Sequence, residues 1–290
     1  MSKKQGVIKA GFYPLEKITN ADVDSMHSVF VKYYHNADYQ TFVKDLKKKI
    51  GAILVKKIDD GTIVGFSTIG IIEKEIDKKK CMGIFSGDTV IEKEYWGLPN
   101  LQTAFLRFMI ITRIKNPFVN FYWFLISKGY KTYLLMANNW DIYYPNYKKR
   151  EDDKRKVIVK TFSNHLFNGF YDEQTGLLKF GEGYQKLKED VADIDEEMKQ
   201  KYPKISFFEE VNPTWREGTE LPCLGDISWS FLLWRPIPFA LRKFRNKIFR
   251  SKSREKIKKL KQDTEKELSN ICDGLNPQVK TISAKTQQEI

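Results

Sequence analysis

The chain has 290 residues, which suits one large domain or a domain with an appendage. Hydrophobic residues make up 41% of it and aromatic residues 14%, which predicts a sizeable buried core and excludes a wholly disordered chain. The formal net charge is +13, and the segment from Arg242 to Lys261 alone carries +10, with eleven Lys and Arg against one acid, Glu255. The rest of the chain is only mildly basic, so we expect any anionic partner to meet this segment.

The three cysteines, Cys81, Cys223 and Cys272, are far apart and odd in number. They predict reduced thiols and neither a disulfide framework nor a metal site. The first residues, "MSKKQGVIKAG", lack the apolar core of a signal peptide, and no stretch reaches the roughly 18 apolar residues of a spanning helix. We therefore expect a cytoplasmic protein, with peripheral contact to the inner face of the membrane.

The first half of the chain predicts alternating strands and helices. "GVIKAGFYPLE" predicts a strand, and amphipathic helices follow at 20–34 and 37–50. Three β-branched runs between 51 and 91, separated by "DDGT" and "DKKK", predict an antiparallel meander. Residues 100–115 predict an apolar helix packed on the sheet. "NPFVNFYWFLIS" predicts a buried strand, and "YKTYLLMANNW" is compatible with either a helix or a strand.

The second half of the chain is less regular. "DDKRKVIVKTFSNHLF" predicts a helix, "NGFYDEQTGLLKFG" a hairpin, and "GYQKLKEDVADIDEEMKQKYP" a charged helix. "ISFFEEVNPTWREGTELPCL" predicts a strand followed by a loop. The expected domains are a core at 1–150, a helix and hairpin extension packed on it at 151–225, a basic amphipathic tail at 226–262 and a polar, disordered end at 263–290.

The order of these elements resembles the GNAT acyltransferase superfamily, whose core acyl-homoserine-lactone synthases share. The resemblance covers residues 6–148 and depends on the strand–turn–helix at 89–115. "YWFLISKGYKTY" and "NPTWREGTELPCL" also resemble uncharacterised bacterial GNAT-like proteins. The implied fold class is α/β, with a GNAT-like mixed, mostly antiparallel central sheet flanked by helices and a helical C-terminal extension.

The resemblance also implies a site for a thioester. In the superfamily, the strand before the turn separates from its neighbour and pairs with the pantetheine arm of coenzyme A, and the turn gives amides to the pyrophosphate. The expected contacts here are Val90, Ile91, Trp96, Gly97, Leu98 and Ser127. Ser127 has capping of the next helix as its alternative role. The turn "YWGLPN" lacks the family's basic residue, and Pro99 has no N–H. The donor is therefore either acyl-CoA or an acyl carrier protein, and loss of the cofactor site is the alternative.

Acyl transfer to an amine needs a base and an acid. Asp88 lies between apolar residues in "FSGDTVI" and is the expected base or its water-holder; the alternative is a structural aspartate at a bulge. Tyr144 is the expected acid, with aromatic packing as its alternative. The sequence has no metal motif, P-loop or nucleophile elbow. The predicted function is transfer of an acyl group from a thioester to an unidentified amine, at a membrane surface. The alternative is an inactive GNAT-like scaffold that binds a membrane or a protein.

The stretch 227–261 combines an aromatic block with a basic block. Large apolar residues recur at helical spacing among Lys and Arg, which predicts an amphipathic helix at an anionic membrane surface. A terminal helix packed on the body, a nucleic-acid contact and a partner-binding helix are the alternatives.

Overall fold

The structure, a computed structural model, describes residues 6–181, 184–187 and 193–234. The chain separates after Phe231 into two units, and every described strand belongs to the first of them. The strands are β1 Ile8–Pro14, β2 Tyr34–His35, β3 Gly51–Lys57, β4 Ile63–Ile76, β5 Lys79–Ile91, β6 Asn120–Ser127, β7 Tyr143–Tyr144, β8 Tyr171–Asp172, β9 Leu177–Leu178, β10 Lys186–Leu187 and β11 Leu221–Asp226. The helices are α1 Asn20–Phe30, α2 Tyr39–Leu46, α3 Asn100–Lys115, α4 Tyr130–Ala137, α5 Asp153–Leu166, α6 Glu196–Lys201, α7 Pro203–Val211 and α8 Trp229–Trp234.

The central sheet has seven strands in the order β1-β3-β4-β5-β6-β11-β7. Among its described strands, β5 and β6 run parallel, and all other neighbours run antiparallel. Helix α3 is the crossover that a parallel pair requires. The predicted fold class, a mixed and mostly antiparallel central sheet flanked by helices, is confirmed.

Helices cover both faces of this sheet. On β6, Trp123 packs against Phe105 of α3, whereas the next residue, Phe124, packs against Phe162 of α5. Because successive side chains on a strand point to opposite faces, α3 and α5 lie on opposite sides. The face that holds α5 also holds α1, whose Phe30 packs on Phe66 of β4. The sheet is therefore buried between two apolar layers.

The meander, α3 and β6 lie where the sequence predicts them. The segment left open between helix and strand is the helix α4. Two predictions in the second half are wrong. The predicted charged helix is present as α6 but not at 186–187, which form β10 beside β2; residues 188–192 lie outside the described residues. The strand predicted in "ISFFEEV" is part of helix α7, which starts with Pro203 in its first turn.

Strand β11 comes from the predicted extension and yet lies inside the central sheet. It pairs with β6 on one side and with β7 on the other. The domain boundaries themselves stay a prediction. The tail past Trp234 and the polar end lie outside the described residues. Across the described segments, no helix combines the length and apolar character needed to cross a bilayer.

Candidate functional site

The strands β5 and β6 part half-way along the sheet. Their parallel pairing joins Cys81–Ser86 to Asn120–Leu125 and ends there. Beyond Ser86, the register of β5 continues with β4, and that of β6 continues with β11. We call the space between the diverging strands the fork. The separation expected from the GNAT resemblance is present, and it starts a few residues before Val90.

A β-bulge lies where the fork opens. Ser67 pairs with Thr89 and Ile69 pairs with Ser86, so Gly87 and Asp88 together stand opposite Thr68. A Cβ atom on Gly87 would lie 2.5 Å from the Thr68 Oγ1 atom, so no larger residue fits without movement. A bulge bends its strand and increases the local twist, which accounts for the departure of β5 from β6 at this point. The alternative interpretation of Asp88, a bulge aspartate, is correct for its backbone position.

The register past the bulge decides which backbone groups face the fork. The Glu92 N–H donates to the Val64 carbonyl over 2.9 Å, so these two residues form a hydrogen-bonded antiparallel pair. Since such pairs alternate, Val90 also bonds to β4, whereas Thr89 and Ile91 point their N–H and C=O groups into the fork. Val90 has a buried side chain as well. Thr89, the neighbour of Val90 on the predicted strand edge, therefore offers the groups expected of Val90.

Most backbone N–H groups of the turn before α3 are hydrogen-bonded within the turn. The N–H groups of Tyr95, Trp96 and Leu98 donate to carbonyls within the turn, at 2.8, 3.2 and 3.3 Å. Gly97 has a φ of 78°, the left-handed conformation that glycine adopts most readily, and a Cβ there would meet nothing within 4 Å. Pro99 precedes the helix without an N–H. Anion contacts at this turn would therefore come from Gly97 and from the first turn of α3.

Trp96 reaches back from the turn to the edge of the fork. Its indole N–H donates to the Ile91 carbonyl at 2.7 Å. The Lys131 ammonium of α4, on the other side of the fork, lies 4.7 Å from the centre of the Trp96 ring. The indole therefore occupies one of the two carbonyls that the register directs into the fork, and a cation–π contact holds it there.

A group of charged and aromatic side chains lies at the mouth of the fork. We call it the fork cluster, and its members are Tyr34, Lys49, Asp88, Lys128, Tyr184 and Glu220. The Lys128 ammonium lies 3.3 Å from Glu220 Oε1, and these side chains are only 10% and 3% exposed. The same ammonium lies 4.4 Å from the ring centre of Tyr184 and 5.1 Å from that of Tyr34. A buried charge pair of this kind requires close partners, which the aromatic rings and the opposite charge supply.

Burial shifts the protonation of the fork cluster. It raises the pKa of the Asp88 carboxyl, against the opposing pull of the Lys128 and Lys49 charges. It also raises the pKa of Glu220, against Lys128, and lowers the pKa of Lys49, against Asp88. The site thus brings together two carboxyls that are better bases than they would be in water.

The two phenols of the fork cluster are shifted in the same sense. Burial raises the pKa of Tyr34 and of Tyr184, and the charges of Asp88 and Glu220 raise both further. The Tyr184 hydroxyl lies near the Glu220 side chain. Both phenols therefore keep their protons at neutral pH.

The structure does not bring Tyr144 to Asp88. Tyr144 lies on β7, beside Leu224, and three strand spacings separate β5 from β7. At about 4.8 Å each, these amount to about 14 Å. Burial raises the pKa of the Tyr144 phenol, and its partly buried ring packs in the core beneath α5.

Ser127 ends β6 and is fully buried. Its hydroxyl donates to the Gly129 carbonyl at 2.8 Å. Helix α4 has Gly129 as its N-cap and no side-chain cap, so the capping interpretation of Ser127 is wrong. A contact with pantetheine stays a prediction.

No protein-family model matches the chain, and no curated protein matches it in sequence. Among solved structures, the chain is similar to a probable N-acyltransferase of unknown function from Enterococcus faecalis, with 13% identity, 45% of this chain and 32% of that chain covered, and a TM-score of 0.34. A GNAT family N-acetyltransferase from Escherichia coli in complex with CoA matches with 5% identity, coverages of 44% and 67%, and a TM-score of 0.33. A Trypanosoma brucei acetyltransferase matches with 14% identity, coverages of 44% and 90%, and a TM-score of 0.33.

The chain thus spans about a third of the first of these structures. At this identity and overlap, the similarities carry no functional assignment, and the fold is established by the strand order of this chain itself.

Sequence reasoning missed Glu220, Lys128, Tyr34 and Tyr184 as parts of one site. Glu220 comes just before the apolar run "LPCL", and a carboxylate beside such a run was a usable signal of the same kind that pointed to Asp88. Tyr34 lies within the run "VKYYH" after α1 and carried no comparable signal.

Proposed function

We propose that this protein is an acyltransferase that moves an acyl group from a thioester, on CoA or on an acyl carrier protein, to an amine. The observation that supports it most is the fork, where Thr89 and Ile91 direct backbone donors and acceptors toward a space above the start of α3. An extended pantetheine arm could pair with these groups as an added strand does. Acyl-CoA carries such a pantetheine arm and is therefore a suitable first donor to test.

In the proposed reaction, the amine nitrogen attacks the thioester carbonyl carbon. The C–N bond forms, the C–S bond breaks, and the thiolate leaves. Asp88, directly or through a water molecule, takes the proton that the amine loses, because its raised pKa makes it a competent base. A phenol returns a proton to the thiolate.

The position of the acid differs from the sequence prediction. Tyr34 is close enough to Asp88 for the carboxylate to raise the pKa of the phenol, whereas Tyr144 lies two strands beyond β6. We therefore assign the acid to Tyr34 in this proposal. Lys128 and Glu220 would hold the mouth of the fork in place and supply its charge.

A second candidate function is a catalytically silent scaffold that binds a membrane or a protein. The observation that favours it is the Trp96 indole on the Ile91 carbonyl, together with a turn whose amides largely bond within it. In this case the fork is closed by the protein's own groups and receives no thioester.

Thermal unfolding with CoA, acyl-CoA or acyl carrier protein separates the two functions. A ligand at a hundredfold excess over its dissociation constant stabilises a protein by about 2.7 kcal/mol. The transferase proposal expects a raised Tm with at least one of the three, and thiol release from acyl-CoA when amines are added. Asp88→Asn should keep the binding and lose the thiol release. No stabilisation by any of the three would leave the scaffold as the better account.

We propose further that the acceptor is met at an anionic membrane surface through residues 227–261, where the basic charge of the chain is concentrated. Replacing Arg242, Lys243 and Arg245 by glutamine should weaken flotation with phosphatidylserine vesicles, most clearly at low salt. Flotation that is unchanged by these replacements would remove the charge contribution from the proposal.

A further inference from the structure

The C-terminal end of α3 presents a cluster of apolar side chains to solvent. Phe118 is 99% exposed, Ile114 60%, Ile111 44% and Trp229 40%. Isolated exposed apolar residues are ordinary, but four of them on one helix end, its loop and the adjacent start of α8 form a patch, and such patches mark contact surfaces. We call this surface the α3 patch.

The loop that carries Phe118 is held in place from below. The buried Arg113 guanidinium donates to the carbonyls of Asn116 and Val119, at the two ends of the loop. The Trp229 indole N–H donates to the Pro117 carbonyl at 3.4 Å, and its ring lies 4.9 Å from the Arg113 guanidinium. The phenylalanine is therefore fixed in an outward position on an ordered loop, although folding alone gives no reason to expose it.

The stretch of sequence that carries most of the α3 patch has charge of one sign. From Tyr95 to Trp140 the sequence contains five Lys and Arg and no Asp or Glu. Two of these cations, Arg107 and Lys115, are exposed on α3 beside Ile111 and Ile114. The patch also ends at Trp229, and the basic stretch of the chain follows in the sequence soon after it.

We propose that the α3 patch is a docking surface for an anionic lipid bilayer, distinct from the basic tail. Phe118 and Ile114 would enter the boundary between headgroups and acyl chains, Trp229 would lie at headgroup level, and Arg107 and Lys115 would meet the lipid phosphates. Rigid aromatic and aliphatic groups beside two exposed cations suit this partner, since each basic residue is attracted to an anionic leaflet.

The test is flotation of the full-length chain with vesicles, without any acyl donor. One set of vesicles is pure phosphatidylcholine, and the other contains equal parts of phosphatidylcholine and phosphatidylserine. We expect binding to the second set, and Phe118→Ser should lower the partition coefficient by about tenfold, because removing a phenylalanine side chain from water contributes at least that factor. Phe118→Ser with Ile114→Asn should lower it further.

The matched control is Ile58→Asn. Ile58 is 57% exposed, close to the value for Ile114, but lies after β3 and next to two aspartates, so its replacement should leave the binding unchanged. Phe118 is fully exposed, so its replacement leaves the fold intact, which the Tm of the variant verifies.

Three outcomes overturn the proposal. The wild-type chain floats with neither vesicle set. Alternatively, Phe118→Ser floats as the wild type does, in which case the basic tail alone accounts for the binding. In the third outcome, the wild-type chain binds neither vesicle set but forms a dimer, and Phe118→Ser abolishes this dimer. The patch would then join two copies of the chain. Flotation is measured without an acyl donor and does not depend on the transferase reaction. A failure of the proposed enzymatic function would therefore leave this test unaffected.

Discussion

Replacing Lys128 by methionine removes the only cation that the structure places within ion-pair distance of Glu220 among the described residues. The methionine retains most of the apolar stem of the lysine, so the change acts mainly on charge. After it, the Glu220 carboxylate would remain buried beside the Tyr184 hydroxyl as its remaining polar partner.

The magnitude follows from the burial of both partners. Breaking a buried ion pair by removing one partner costs about 3–5 kcal/mol of unfolding free energy, because it leaves an uncompensated charge. Loss of the contacts between the ammonium and the rings of Tyr184 and Tyr34 adds about 0.5–1 kcal/mol each. Glu220 can take up a proton and so lose its buried charge, which limits the total loss of unfolding free energy. Each unit by which the Glu220 pKa rises corresponds to about 1.4 kcal/mol.

The pH dependence has a definite sign. Burial already raises the pKa of Glu220 in the folded protein, and removal of Lys128 raises it further. For a carboxyl whose folded pKa exceeds its unfolded pKa, stability is full below the unfolded pKa and is lost as the pH rises through the folded pKa. The stability difference between wild type and Lys128→Met should therefore be small in acid and large at neutral pH.

Urea unfolding at a mildly acidic pH and at a neutral pH measures this difference. Glu220→Gln added to Lys128→Met should recover much of the lost stability, because the carboxylate is gone. Lys48→Met removes an exposed ion pair with Asp45 and should change stability by less than about 1 kcal/mol. A difference for Lys128→Met that is equally small at both pH values would refute the reasoning.

Two further predictions concern the fork. Gly87→Ala should destabilise the protein by about 1–3 kcal/mol, since its Cβ would meet Thr68 Oγ1 at 2.5 Å, and adding Thr68→Ala should restore much of the stability in urea unfolding. Trp96→Phe keeps a ring beside Lys131 but frees the Ile91 carbonyl. Calorimetry should then show that CoA binds up to about tenfold more tightly, because the freed carbonyl can accept one further hydrogen bond from the ligand. Weaker binding would contradict the view that the indole competes with the thioester arm.

Much of the fold could be predicted because its signals are local. The meander has turn residues between β-branched runs, and α3 has a continuous apolar pattern, so both were predicted close to their observed bounds. The segment "ISFFEEV" was assigned wrongly because its composition favours a strand, whereas Pro203 in the first turn and the burial of Ile205 and Phe208 fit one helical face.

The site was harder to predict because it depends on pairing between distant segments. Asp88 could be found, since a carboxylate inside an apolar run is a local anomaly. Glu220 belongs to the same site because it precedes β11, which pairs with β6 from almost a hundred residues away. The same pairing explains the position of Tyr144: β11 takes the place beside β6 and moves β7 one strand further from the fork. Local periodicity contains no information on either arrangement.

The central claim is that the fork receives a thioester arm on the outward backbone groups of β5. Hydrogen–deuterium exchange of the peptide covering residues 87–92, with and without acyl-CoA or acyl carrier protein, tests it directly. The account predicts slower exchange of the Thr89 amide when a donor is present at saturating concentration, because that amide would then bond to the pantetheine arm. Exchange at Thr89 that is the same with every donor and without any would contradict it.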